Sequence, residues 1–130
     1  MNVMGSSDVP ILILDDDPLV LRAWQRAAKL ANAKVAPYAS VGDALEHLAR
    51  RAVCACVADW DLGDRTSLEF LRILRSRRPE LPLFVFTGDP EAAARALDEA
   101  GLHVPVFPKT AGVRLVLESV VGRVPSSEVA

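Results

Sequence analysis

Five short apolar runs alternate with five amphipathic stretches along the chain. The runs are Val9–Leu14, Lys34–Tyr38, Val53–Ala58, Leu81–Thr87 and Val104–Pro108. They are mostly continuous rather than alternating, which is the pattern of strands buried on both faces of a parallel sheet. The stretches between them carry apolar residues at helical spacing over about three turns, enough to cross a sheet and return. The pattern predicts (βα)5: an open, doubly wound α/β fold with a five-stranded parallel sheet and helices on both faces.

Local chemistry marks the helix ends. Asp17-Pro18 supplies an N-cap followed by proline at the first helical position, and Asp89-Pro90-Glu91 repeats the device. Thr66-Ser67-Leu68-Glu69 reads as a capping box, and Ser40 and Thr110 as caps of the second and fifth helices. Arg75-Ser76-Arg77-Arg78-Pro79 puts cations at a helix C-terminus before a proline, while Gly101 and Gly122 fit positions just past helix ends. The expected organisation is an extension at 1–8, one domain at 9–124, and a flexible tail or linker stump at 125–130.

Composition narrows the class of protein. A chain of 130 residues with 51% hydrophobic and 25% charged residues has the make-up of one globular domain. A net charge of −2 and 5% aromatics argue against a basic field or stacking platform for nucleic acid. No apolar run approaches the ~20 residues that span a bilayer, and Met1–Pro10 lacks the form of a signal peptide. Cys54 and Cys56 share one strand, point the same way and have no second pair for a zinc site, so both are expected as reduced core residues. A cytoplasmic location is the expectation.

In such a sheet ligands bind outside the carboxyl ends of the strands. The first run ends in Asp15-Asp16-Asp17, the third in Asp59, the fourth in Thr87-Gly88, and the fifth leads into Lys109. The second ends in Tyr38-Ala39-Ser40 and offers little. Two carboxylates ~4 Å apart repel by about 4 kcal/mol at an effective dielectric of 20. Protonation or a hard cation must relieve that repulsion. Magnesium fits, because it takes oxygen ligands and is held by one or two carboxylates plus a phosphate. An ionised aspartate beside it can act as a nucleophile. Lys109 and Thr87 can then stabilise charge on a transferring phosphoryl group.

These residues carry a family resemblance. Ile11-Leu-Ile-Leu-Asp-Asp-Asp-Pro18, Val57-Ala-Asp-Trp-Asp-Leu62, Leu68-Glu-Phe-Leu71, Phe84-Val-Phe-Thr-Gly88 and Lys109 resemble the response-regulator receiver domain of two-component signalling, with a flavodoxin-like fold. The resemblance runs from about Val9 to Gly122. It implies Asp15 and Asp16 as the acidic pair, Asp59 as phosphoacceptor, and a magnesium ion held by Asp15, Asp16, Asp59 and the backbone carbonyl of Asp61. It further implies Thr87 as a switch hydroxyl, with Gly88 beside the ligand, and Lys109 as the phosphate-binding lysine. The implied donor is a sensor histidine kinase or phosphotransfer protein docking near the first helix. The implied output is a protein target or output domain on the fourth helix, fifth strand and fifth helix (about Pro90–Gly122), a face that could also form a homodimer. Such a domain catalyses only its own phosphorylation and dephosphorylation.

The chain departs from the family pattern at three places. Pro108 precedes Lys109 and Thr110 follows it, where the family has proline after the lysine. Val106 occupies the usually aromatic position of the fifth strand. The loop Leu62-Gly-Asp-Arg-Thr-Ser67 lacks a common proline, and Asp61 adds a second carboxylate close to the acceptor. Two other readings stand beside the switch: a receiver-like binding module that works without phosphate, and a haloacid-dehalogenase-type phosphohydrolase using Asp59-Trp60-Asp61. Against the hydrolase, the acid pair precedes the nucleophile and the chain has no room for a cap domain. Trp24 is expected in the core, and Trp60 either as a wall of the site or as packing. His47 and His103 are expected at the surface, and Arg72, Arg75, Arg77 and Arg78 on a solvated helix face and end.

Overall fold

The computed structural model describes residues 9–124; the expected extension at 1–8 and tail at 125–130 lie outside the described residues. Five strands form one parallel sheet: β1 (Ile11–Leu14), β2 (Val35–Tyr38), β3 (Ala55–Asp59), β4 (Leu83–Thr87) and β5 (Val106–Pro108). Their spatial order is β2-β1-β3-β4-β5. Between and after them run α1 (Pro18–Leu30), α2 (Val41–Arg50), α3 (Leu68–Arg77), α4 (Pro90–Glu99) and α5 (Val113–Arg123). The strand order reverses between β1 and β3, which pair directly with Leu14 opposite Ala58. That reversal opens a crevice beyond their carboxyl ends, where Asp15 and Asp59 stand.

The continuous apolar runs are explained by the two layers that cover the sheet. On one face Ile11, Ile13, Ala55, Val57, Phe84 and Phe86 meet Trp24, Ala27 and Ala28 of α1 and Val116, Leu117 and Val120 of α5. On the other, Leu12, Leu14, Cys56, Ala58, Leu83 and Val85 meet Leu48 of α2, Phe70, Leu71 and Leu74 of α3, and Leu97 of α4. Alternate residues of each strand feed opposite layers, so neither parity can be polar. Trp24 is fully buried, with its ring edge-on to Phe86 at 5.6 Å. Trp60 is also core, buried on the α2–α3–α4 side, as its packing alternative expects.

Most caps form as the local chemistry requires. Asp17 accepts from the Leu19 amide at 2.9 Å, Ser40 from Asp43 at 3.2 Å, and Asp89 from Ala92 at 3.2 Å. At the end of α4, Gly101 N–H donates to Asp98 and Leu102 N–H to Leu97, closing a Schellman motif.

Three expected helix ends differ. The Thr66–Glu69 capping box does not form: Ser67 is the N-cap, and its hydroxyl is buried without a partner among the described residues. Its amide is instead bound to the Trp60 carbonyl, which turns the serine inward. Thr110 does not cap α5, because Lys109–Ala111 curl into a 3-10 turn and Gly112 takes the cap position at φ +85°. That angle lies in the left-handed region where a side chain is disfavoured. Gly122 lies within α5 rather than beyond it.

Three side chains expected in solvent are engaged. His47 is buried, with Nδ1 2.7 Å from the Tyr38 hydroxyl, because α2 lays it against the end of β2. Arg75 donates to the carbonyls of Pro79 and Leu81, and Arg78 to that of Leu48, so these two arginines tie the end of α3 to the loop before β4 and to α2. Arg72 and Arg77 are exposed as expected.

The packing predicts sharply different costs for two large side chains of α1. Trp24→Ala should destabilise the fold by about 3–5 kcal/mol, whereas Leu30→Ser, at 82% exposure, should stay within about 0.5 kcal/mol. Urea unfolding of both variants measures this; equal effects would contradict the burial pattern.

Candidate functional site

Each residue of the crevice is placed by the end of a strand. Asp15 is the first residue past β1 and is almost wholly buried. Its amide donates to the Tyr38 carbonyl at 3.1 Å, so the neighbouring edge strand fixes its backbone. One carboxylate oxygen accepts the Asp17 amide at 2.9 Å, which leaves Asp15 committed to the crevice and Asp17 to the helix cap. Asp59 ends β3 and is 6% exposed; the Asp61 amide donates to its carboxylate. Asp16 is exposed at the rim. Oxygens of Asp15, Asp16 and Asp59 all lie within 4.8 Å of one another, the spacing of a single cation's ligand set.

Lys109 joins these acids from across the sheet. Its ammonium lies 3.5 Å from Asp15 Oδ2 and 3.4 Å from Asp59 Oδ1, and 5.7 Å from the centre of the Phe86 ring. Burial of the stem against that ring aims the charge inward. The expected convergence of Asp15, Asp16, Asp59 and Lys109 is therefore present.

One ammonium does not balance three carboxylates. Burial, then the charge of Asp15, push the Asp59 carboxyl up to about 6, against the opposing pull of Lys109 and its hydrogen bond. Asp15 is also raised, by burial above all, despite the Asp17 amide and Lys109. Burial would lower the Lys109 ammonium, but Asp15 and Asp59 together more than offset it and its pKa rises. The proton stays on the lysine, and excess negative charge stays on the acids. Oxygen-only donors carrying surplus negative charge suit a hard divalent cation such as magnesium.

Thr87 closes β4, buried, one residue beyond Phe86, which pairs with Asp59. Its oxygen accepts the Asp89 amide at 3.1 Å, and its own proton remains available to donate. At Gly88 a Cβ would meet nothing within 4 Å, so there is open space above the strand end. The loop after Asp59 folds back on itself: Asp61 bridges to Thr66, and Leu62 donates to the Arg65 carbonyl. Asp61's carboxylate is exposed and accepts the Gly63 amide at 3.0 Å. Gly63, at φ +92°, lets this loop sit over Asp16, 3.6 Å from where a Cβ would stand.

Two residues that sequence reasoning set aside belong to this neighbourhood. Tyr38 holds the Asp15 amide, and Phe86 supports Lys109. An aromatic residue at a strand end is a faint signal, because such residues usually only pack. Val106 pairs with Val85, so no aromatic occupies that position; the β5 aromatic, Phe107, packs on Phe84 on the opposite face.

Known proteins resemble this chain in sequence and in fold. The profile of the response regulator receiver domain matches residues 11–114. The acid tolerance regulatory protein ActR of Sinorhizobium medicae is 32% identical over 81 residues, covering 62% of this chain and 42% of its own length. The photosynthetic apparatus regulatory protein RegA of Rhodobacter capsulatus is 36% identical over 84 residues, covering 63% and 45%. The chain thus spans under half the length of these curated relatives. Among solved structures, a sensor protein from Polaromonas sp. superposes with a TM-score of 0.78 at 26% identity, over 91% of this chain and 96% of that one. A CheY-like response regulator receiver domain from Methanospirillum hungatei does so at 0.76 and 24%, over 90% and 94%. The profile runs from the first residue of β1 through every strand into α5: this chain belongs to the response regulator receiver domain family.

Proposed function

We propose that this chain is the phosphoacceptor switch of a two-component phosphorelay. The observation that carries the reading is Lys109 bridging Asp15 and Asp59 at the strand-order reversal. An Asp59 carboxylate oxygen attacks the phosphorus of a phosphohistidine protonated on its other ring nitrogen, forming an acyl phosphate as the P–N bond breaks and neutral imidazole leaves with the bonding pair. Lys109 meets the negative charge of the incoming group, and Thr87 has a hydroxyl proton to donate to it. Asp15, Asp16, Asp59 and the Asp61 carbonyl would hold Mg2+, which when bound neutralises the crowded acids and the transferring group. With its carboxylate engaged by the Gly63 amide, Asp61 can present that backbone carbonyl without committing its side chain.

The donor is a sensor histidine kinase or a phosphotransfer protein. Its approach to Asp59 crosses the start of α1, whose solvent side exposes Leu19, Arg22, Arg26 and Lys29. Phosphorylation changes the charge at Thr87 and Lys109, which lead directly into α4 and α5. The α4–β5–α5 face, Pro90–Gly122, is therefore the surface offered to a protein target, an output domain or a second copy, in the cytoplasm and without direct nucleic-acid contact. Val106 favours a second reading, a receiver-like module that signals without phosphate, because the aromatic partner for Thr87 is missing.

Acetyl phosphate with millimolar Mg2+ separates these readings. Intact mass should show one phosphoryl group per chain, absent in Asp59→Asn and without multiple turnover. An unlabelled wild-type chain would leave only the phosphate-independent module.

The raised Asp59 also makes stability depend on pH. Between the ordinary carboxylate value of 3.8 and about 6, the folded state binds more protons than the unfolded one. Stability of the cation-free protein therefore falls as pH rises through that window and stays low above it. Asp59→Asn should flatten the slope and stabilise the protein at pH 7 by about 1–3 kcal/mol, and Mg2+ should raise the wild type at the same pH. Thermal unfolding from pH 4 to 7.5, with and without Mg2+, measures both effects.

A further inference from the structure

The end of β2 is held in a way that the proposed chemistry leaves unused. Tyr38 closes an edge strand of four half-buried residues, and Pro37 before it has no amide to donate. The Tyr38 hydroxyl lies 2.7 Å from His47 Nδ1 in α2, with the two rings edge-on at 5.3 Å. Burial, then the charge of Arg51, hold the His47 imidazole below its ordinary pKa, so the ring is neutral at pH 7. Tyr38 engages Nδ1, which leaves Nε2 as the ring's other polar atom, a donor or an acceptor according to the tautomer. Nε2 is buried and has no partner among the described residues. Leaving a buried polar nitrogen without a partner is destabilising. A leucine would fill the same space without that cost, so what the histidine adds is its bond to Tyr38.

The Tyr38 carbonyl in turn accepts the Asp15 amide at 3.1 Å, and Asp15 faces Lys109 at 3.5 Å. Hydrogen bonds therefore run from α2 through β2 to the most buried carboxylate of the crevice. We propose that Tyr38 and His47 are positioning residues for the acidic pocket: their hydrogen bond pins the free end of β2 to α2, and the Tyr38 carbonyl uses that fixed end to hold Asp15 in place. The functional consequence, tighter cation binding, rests on the pocket being a magnesium site; the positioning itself does not.

Amide hydrogen exchange of the labelled full chain, with calorimetric titration of MgCl2 at pH 7.5, tests the proposal. In Tyr38→Phe and His47→Leu the Asp15 amide should exchange about tenfold faster than in wild type, one hydrogen bond's worth. The Val85 amide of β4 serves as the reference for global opening and should change far less. Magnesium affinity should fall severalfold in both variants. His47→Asn keeps an acceptor near the Nδ1 position and should retain the Asp15 protection and the affinity. Equal acceleration at Asp15 and Val85, or His47→Asn behaving like His47→Leu, would overturn the proposal. Wild-type protein that shows the exchange pattern but binds no magnesium would refute the cation reading and leave the positioning role standing.

Discussion

Two buried carboxylates sharing one ammonium set the terms for the rest of the molecule. Asp15 and Asp59 stand close enough to repel, and Lys109, at 3.5 and 3.4 Å, compensates only part of that charge. What keeps the acids together is backbone: each is fixed at or just past the end of a strand whose neighbours are hydrogen-bonded along its length. The cost of crowding is therefore met by the sheet, and the surplus negative charge is available to a cation. A looser scaffold would let the acids separate.

The two apolar layers supply that stiffness. Trp24 against Phe86 on one side, and Leu71 beside the central strands on the other, leave the strand ends little room to shift. Phe86 serves twice, since the ring that packs on Trp24 also lies under the Lys109 ammonium. The 3-10 turn at Lys109–Ala111 and the left-handed Gly112 then bring the chain from β5 into α5 after the lysine has been delivered. On the other edge, Tyr38 braces Asp15 from a strand that is itself only half covered.

Family membership places this chain among signalling domains, and the curated relatives it matches are regulatory proteins more than twice the length of the matched region. The positions that depart from the expected pattern are spread over three places: Asp61 in the β3–α3 loop, Val106 at the start of β5, and Thr110 rather than proline after the lysine. Asp61 is absorbed into the loop by the Gly63 amide, and Thr110 by the 3-10 turn. Val106 sits in ordinary strand pairing with Val85, so any coupling from Thr87 to the α4–β5–α5 face must run through other side chains.

The five strands, the five helices and the four converging residues were legible along the chain, because runs covered on both faces are apolar throughout and a change to Asp, Thr or Lys marks a strand's end. Asp17, Ser40 and Asp89 were legible as caps because each bonds an amide two or three residues away. What the chain alone could not disclose depends on neighbours distant in sequence. Ser67 turns inward because Trp60 takes its amide, His47 is buried because α2 lays it on Tyr38, and Arg78 reaches the Leu48 carbonyl thirty residues away. Local propensity cannot report such contacts, since the same residues would be well solvated on an isolated helix. The shift of the Asp59 carboxyl belongs to the same class: its identity is written in the sequence, but its charge is set by burial and by a second aspartate that only the folded sheet brings alongside.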